Sequence, residues 1–282
     1  MASLSIVIPT FNSATPLGRC LASVHNPGIQ DVEVIVVDDV ATTDTTRDIA
    51  LSYGARVIVS PAGMAESRNE GIADSAAPYI LSVDSDMVLS PGLLRDVFEA
   101  FSQGLEALTI REVAAGGGYW VRARAIDKET VEATGLGRAV RGFTRALFER
   151  VGGFDPTLEA GEDLDFHRRV LASGAKVGHI SGTYFLHDEG RLSLAASCRK
   201  KFRYGITAAR FEAKHGLGLG RSLGFGRRLA HGTLLGCRKD PLAVPGFLVL
   251  KSAEAIAGLA GRLAAKTKGS PSQRSAAARR AT

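Results

Sequence analysis

The stretch Leu4-Ser5-Ile6-Val7-Ile8-Pro9-Thr10-Phe11-Asn12 passes from an apolar run straight into a polar end, and three later runs repeat the pattern: Val32 to Asp38, Ala55 to Ser60 and Tyr79 to Asp84. Short runs rich in Val and Ile read as strands. The segments between them have helical length and composition: Leu17 to Val24, Thr45 to Tyr53 with Asp44 as its N-cap, and Met64 to Ala73. This alternation predicts an α/β fold with a mostly parallel, Rossmann-like sheet and helices on both faces. Ligands of such sheets collect beyond the carboxyl ends of the strands.

The polar residues stand at those ends, as Pro9-Thr10-Phe11-Asn12, Asp38-Asp39, Ser60-Pro61-Ala62-Gly63 and Asp84-Ser85-Asp86. On an extended segment Asp84 and Asp86 point to one side, an arrangement suited to a hard divalent cation that also grips a diphosphate. The same triplet also reads as a solvated turn ahead of a helix near Ser90-Pro91.

With 282 residues, 45% hydrophobic and 23% charged, the chain can bury one substantial core or two small ones, which excludes a disordered chain or a fibre. Cys20, Cys198 and Cys237 have no paired spacing, so neither a zinc cluster nor a disulfide framework is expected, and a reducing compartment is. Leu4 to Ile8 begins without a basic leader, which predicts a protein kept in the cytoplasm. Charge is unevenly divided: 16 Lys+Arg against 26 Asp+Glu up to residue 190, and 19 against 3 beyond it. An acidic body followed by a basic extension points to a second partner.

Four elements in order, Pro9 to Asn12, Val37-Asp38-Asp39, Arg68-Asn69-Glu70-Gly71 and Asp84-Ser85-Asp86, followed by Gly152-Gly153-Phe154-Asp155 and Gly161-Glu162-Asp163-Leu164-Asp165, resemble family 2 glycosyltransferases of the GT-A fold. The resemblance covers about the first two-thirds of the chain and rests on the series. It implies an inverting transfer from a nucleotide diphosphate sugar, with a UDP-sugar favoured, to an acceptor hydroxyl. Residues 1–100 would then be the nucleotide-sugar half and residues 101–190 the acceptor and catalytic half. Thr10, Phe11 and Asp39 would form the base and ribose end. Arg68 would reach the nucleotide or diphosphate, and Asp84 the ribose or the cation's water shell. Asp86 and His187 would hold Mn²⁺ or Mg²⁺, and Asp163 would be the general base.

Structural alternatives stand beside these roles. Asp38 or Asp39 can cap the next helix, and His187 can be a hydrogen-bonded residue at the sheet edge. Arg68 as a surface ion-pair partner of Glu66 or Asp74 is disfavoured by spacing. The chain departs from the family at Val40-Ala41-Thr42-Thr43-Asp44, which lacks the usual glycine and carries an extra residue, so the ribose loop is expected to be reshaped. Ala114-Ala115-Gly116-Gly117-Gly118 reads equally as a hinged flap or a plain connection, Trp120 as core, and His167 and His179 as structural.

Residues 191–265 are expected to form a basic helical extension and residues 266–282 a disordered tail. Pro241 to Leu250 is apolar but half the length of a span, whereas Ser252 to Leu263 can lie amphipathically in a headgroup layer. Peripheral attachment to the anionic inner face of the cell membrane is the expectation, and a helical appendage packed on the body the alternative. No nucleic-acid partner is expected, since no such fold accompanies the basic-aromatic run Cys198 to Gly205. Two other functions fit less: a sugar nucleotidyltransferase, which would need a Gly-rich basic loop after the first strand, and a non-catalytic membrane- or nucleic-acid-binding protein.

Overall fold

Eight strands form one sheet in the order β3-β2-β1-β4-β7-β6-β8-β5 in the computed structural model, which describes residues 3–25, 31–61, 63–158, 160–215 and 220–267. The strands are β1 (Leu4–Thr10), β2 (Val32–Asp39), β3 (Arg56–Ser60), β4 (Tyr79–Ser82), β5 (Met87–Leu89), β6 (Ala107–Ala115), β7 (Val140–Thr144) and β8 (Val177–Asp188). β3, β2, β1 and β4 pair in parallel, as do β6 and β8, while β7 and β5 run antiparallel to their neighbours. The sheet is therefore mostly parallel, as the alternating pattern predicts.

Side chains of successive strand residues go to opposite faces, and each face has its own helices. Leu4, Ile6, Ile8 and Val36 pack with α1 (Ala14–Val24) and α4 (Leu93–Ser102), and α2 (Thr46–Ser52) joins them through Ala50. Val7, Ile35, Val37 and Ile80 pack on the other face with α3 (Met64–Asp74), α6 (Arg145–Val151) and α7 (Glu162–Ala172). Gly71 makes the fit of α3 possible, because a Cβ there would stand 2.6 Å from Val7 Cγ1 and 2.8 Å from Val37 Cγ2.

The chain divides into two compact units, the first comprising Met1–Gly116, Lys128–Thr157 and Glu162–Gly190, the second Gly117–Asp127, Leu158–Gly161 and Arg191–Thr282. The second contains the first half of α5 (Tyr119–Thr134), α8 (Leu194–His215), α9 (Gly220–Lys239), a short 3₁₀ turn (Pro241–Ala243) and α10 (Val244–Thr267). Its small core joins Ala123 and Ile126 to Val244, Phe247 and Leu250, with Trp120 half-buried against them. The helical extension is thus present, and α10 continues to Thr267. The tail expected from residue 266 lies, from residue 268 onward, outside the described residues.

Local details differ from the sequence expectations. The first helix starts at Ala14, three residues early, because Asp44 accepts the Ala14 N–H (3.0 Å) from outside it. The cap position of α2 is Thr45, although the Asp44 carboxylate still takes the Thr46 N–H at 3.0 Å. Asp84 to Asp86 is a tight turn closed by Met87 N–H to Asp84 C=O (2.9 Å), not an extended segment.

Candidate active site

At the carboxyl end of β1, Thr10 is buried and donates to Asp38 Oδ1 (2.8 Å), while Phe11 is 55% exposed. Asp38 is fully buried and also accepts from Thr42 (2.9 Å) and from Arg47 Nε (2.7 Å) on α2, so it organises the loop. Asp39 lies beside it with Oδ1 accepting the Ala41 N–H at 2.8 Å. The departing loop is stitched to the β1 end, with Asn12 Oδ1 accepting the Thr43 N–H (2.9 Å) and Thr46 Oγ1 the Ser13 N–H (2.8 Å).

Arg68 is the hub of the site. Only 2% exposed on α3, it donates from Nη1 to Glu162 Oε1 (2.5 Å) and from Nη2 to Asp84 Oδ1 (2.7 Å). The next residue, Asn69, zips onto the Gly-Gly-Phe-Asp loop by accepting the Phe154 N–H (2.9 Å) and donating to the Phe154 carbonyl (2.8 Å). Within this short motif Arg68 thus joins two acidic segments, Asn69 holds a loop, and Gly71 seats the helix.

A second buried arginine, Arg141 on β7, extends the line of charges by meeting Asp84 Oδ2 (3.2 Å) and Glu112 Oε1 (3.0 Å). Glu112 on β6 in turn pairs with Lys128, whose Nζ lies 3.1 Å from His187 Nδ1, and His187 Nε2 is 3.1 Å from Asp86 Oδ2. The sheet register makes the last contact, since β5 and β8 pair antiparallel with Met87 opposite His187. A ladder of charged groups therefore runs Glu162, Arg68, Asp84, Arg141, Glu112, Lys128, His187, Asp86, alternating in sign as far as Lys128. The turn sends Asp84 to the arginines and Asp86, the more exposed of the two, to the histidine.

The ladder sets the charge states. Burial opposes ionisation of Asp84, but Arg141 and Arg68 outweigh it and hold the carboxyl well below the usual carboxylate range. Glu112 is likewise lowered against its burial by Arg141, His187 and Lys128. Burial pushes Glu162 up despite Arg68. Burial favours the neutral form of His187, but its bonds to Asp86 and Glu112 prevail and raise it to about 9.

Asp163 follows Glu162 in the first turn of α7, half-buried, with Oδ1 accepting the Leu164 N–H at 2.7 Å. Its charge acts on both Arg68 and Arg141. The helix is anchored by fully buried Asp165, which receives Arg169 Nε at 2.8 Å, and Arg169 also donates to the Gly153 carbonyl at 2.6 Å. Asp84, Asp86, Arg68 and His187 are therefore gathered by one ladder, Asp163 stands next in the chain to its first member Glu162, and Thr10, Phe11 and Asp39 form a separate cluster at the ends of β1 and β2. Sequence reasoning missed Glu112, Lys128, Arg141 and the bridging part of Glu162. The usable signal was a charge inside an apolar strand, as in Val140-Arg141-Gly142-Phe143, because a buried charge has to be paired.

Among the described residues no three His, Cys, Asp or Glu side chains gather as a metal cluster. Asp86 and His187 nevertheless form a fitting pair, since neighbouring ligands of an octahedral cation at about 2.1 Å lie about 3 Å apart, and their facing atoms are 3.1 Å apart. Carboxylate with imidazole suits Mn²⁺ better than Mg²⁺.

The fold is of the GT-A class. The family model described as glycosyl transferase family 2 matches residues 5–152, more than half of the chain, and the chain belongs to that family. Membership places it among transferase enzymes and leaves the nucleotidyltransferase reading without support. Among relatives, the pre-mycofactocin glycosyltransferase of Mycobacterium tuberculosis (strain ATCC 25618 / H37Rv) is 26% identical over 231 residues, 75% of this chain and 48% of that protein. The chain thus spans about half the length of that relative. The succinoglycan biosynthesis protein ExoU of Rhizobium meliloti (strain 1021) is 26% identical over 300 residues, 86% of this chain and 85% of that one. S. aureus TarS 1-349 in complex with UDP superposes with a TM-score of 0.56 at 16% identity, covering 95% of this chain and 92% of that one. The mannosyltransferase PcManGT from Pyrobaculum calidifontis, in complex with GDP-Man and Mn²⁺, superposes at 0.55 and 17% identity, covering 95% and 79%.

Proposed function

We propose that the chain is an inverting glycosyltransferase that moves a sugar from a nucleotide diphosphate, with a UDP-sugar favoured, to an acceptor hydroxyl. The observation that carries the reading is the bridge through Arg68, because it draws the acid pair of α7 and the Asp-Ser-Asp turn, 78 residues apart, to one guanidinium. Donor-side and acceptor-side chemistry then share one rigid frame.

In this reading residues 1–100 bind the donor and residues 101–190 the acceptor. Phe11, exposed at its strand end, offers a face for the base, and Asp39 accepts from an imide N–H or a ribose hydroxyl through its second carboxylate oxygen. Thr10 supports both through Asp38. Arg68 and Asp84 set the position of the diphosphate end, Arg68 through its fixed charge and Asp84 near the ribose or the cation's water shell. Asp86 and His187 would hold Mn²⁺ or Mg²⁺, which when bound neutralises charge developing on the departing nucleoside diphosphate. Asp163 takes the acceptor's proton as its oxygen attacks the anomeric carbon, and the C–O bond to the diphosphate breaks on the opposite side, which inverts the centre. A lipid-linked saccharide or other glycan, a cell-wall precursor and a natural-product scaffold all present such an acceptor hydroxyl. The enzyme works in the cytoplasm, in peripheral contact with the anionic inner face of the cell membrane.

A panel of UDP- and GDP-sugars, each with Mn²⁺, tests the reading by thermal stabilisation and by slow release of the nucleoside diphosphate. UDP-sugars should stabilise most, and Asp86→Ala should remove the cation dependence. Stabilisation by no nucleotide sugar, or pyrophosphate release from a nucleoside triphosphate, would sink it.

A further inference from the structure

Helix α10 buries charges beside its apolar core residues and exposes a second apolar face. In water a surface helix turns its apolar stripe inward and its charges outward. Here Lys251 and Glu254 are buried, whereas Val249, Ile256, Leu259 and Leu263, one face by their spacing, are 49, 69, 55 and 55% exposed. The buried charges are fully partnered within the second unit: Lys251 Nζ meets Asp127 (3.1 Å) and Glu254 (2.8 Å), and Glu254 also accepts from Arg124 (2.6 Å) and Ser197 (2.6 Å). By length and composition Pro241–Ala265 is apolar enough to cross a membrane, and only a third of its most apolar stretch is buried.

The contacts on its inner side are close. Gly205 of α8 faces the backbone at Gly258, and Gly236 of α9 leaves no room for a Cβ, which would stand 2.7 Å from Val244 Cγ2. Charges paired toward a bundle interior and glycines at helix crossings are what a lipid environment selects. The charge balance agrees. Beyond residue 190 there are 19 Lys+Arg and 3 Asp+Glu, and each of those acids is already paired: Glu212 with Arg262 (2.9 Å), Asp240 with Arg122 (2.6 Å) and Glu254 as above. The surplus is positive, with Arg199, Lys200 and Arg203 exposed on α8 beside exposed Phe202 and Tyr204, the residue types of a headgroup layer.

We propose that the outer face of α10, centred on Ile256 and Leu259, inserts into the acyl-chain boundary of an anionic bilayer, with α8 supplying headgroup contacts. This deepens, and rests on, the membrane contact of the proposed function. The helix lies in the leaflet rather than crossing it, because its other face is occupied by α8 and α9.

Flotation of the full chain with phosphatidylglycerol–phosphatidylcholine vesicles tests this. Wild type should float, and Ile256→Glu/Leu259→Glu should lower the partition coefficient about 100-fold, roughly tenfold for each side chain. Leu51→Glu, at a 60% exposed site on α2, should float like wild type. The replaced side chains face outward, so folding is spared. The proposal is overturned if wild type stays at the bottom, if the double variant floats equally well, or if wild type is a dimer that the double variant converts to monomer. Stabilisation by UDP with Mn²⁺, measured on the same samples, reports on the transferase reading separately, because no replaced residue lies in that site.

Discussion

At the scale of single residues, Arg68 shows how a binding motif can be a fastening. Its guanidinium is engaged by Glu162 and Asp84, so its removal leaves two carboxylates near one another without their shared cation. Arg68→Met is expected to lower stability by about 3 kcal/mol, in the range for breaking a buried pair, and to lower kcat at least 100-fold. A denaturant melt together with turnover of a UDP-sugar checks both, and unchanged turnover would leave the bridge without a role. Asp163→Asn differs in kind: transfer should be abolished, while UDP affinity with Mn²⁺ stays within a few-fold. Calorimetric titration beside a transfer assay separates the two, and persisting transfer would remove Asp163 as the base. The two motifs joined by Arg68 were legible as acids in sequence. Their common cation was not, because an arginine at helical spacing carries no mark of which distant carboxylate it will meet.

Among the elements, α3 decides the site's geometry, since Arg68 and Asn69 sit within one turn of Gly71, where the helix touches β1 and β2. Gly71→Ala would place a methyl within 2.6 Å of Val7 and 2.8 Å of Val37. Overpacking of this sort costs about 1–3 kcal/mol, and lifting the helix would also shift Arg68. A lower melting temperature with a fall in kcat and little change in the mean residue ellipticity is the expected outcome; intact turnover would show that α3 tolerates the displacement. The strands and helices were readable from the period of apolar residues. The turn at Asp84 to Asp86 was not, because alternate carboxylates look the same whether the backbone is extended or folded back by a hydrogen bond from Met87 to Asp84.

For the molecule as a whole, the basic extension builds a second small unit that borrows Gly117–Asp127 from the middle of the chain. Removing residues from 191 onward would strip Ala123 and Ile126 of cover and Asp127 of Lys251 and Arg228. The truncated chain is expected to aggregate, whereas the α10 surface variants remain soluble; a monodisperse truncation by size-exclusion chromatography would contradict the shared core. Asp127 also predicts a pH dependence. Burial opposes its ionisation, but Lys251, Arg228 and Arg124 hold its carboxyl far below the ordinary 3.8. A depressed folded-state value stabilises the fold above the unfolded value, and that contribution is lost as pH falls below it. Asp127→Asn should therefore cost about 3 kcal/mol at pH 7, a difference that narrows below pH 3.8. Helical circular dichroism in denaturant at pH 7 and pH 3 measures it, and an equal gap at both would refute the assignment.

The order of strands and helices, the acids at the strand ends and the charge divide at residue 190 follow from the chain alone, because hydrophobic period and composition are local quantities. Only the tertiary structure decided that Arg68 and Arg141 string those acids into one ladder, that His187 comes opposite Met87, and that α10 turns its charges inward. Each of these is a pairing between residues far apart in sequence, and a buried charge chooses its partner by where the backbone brings it.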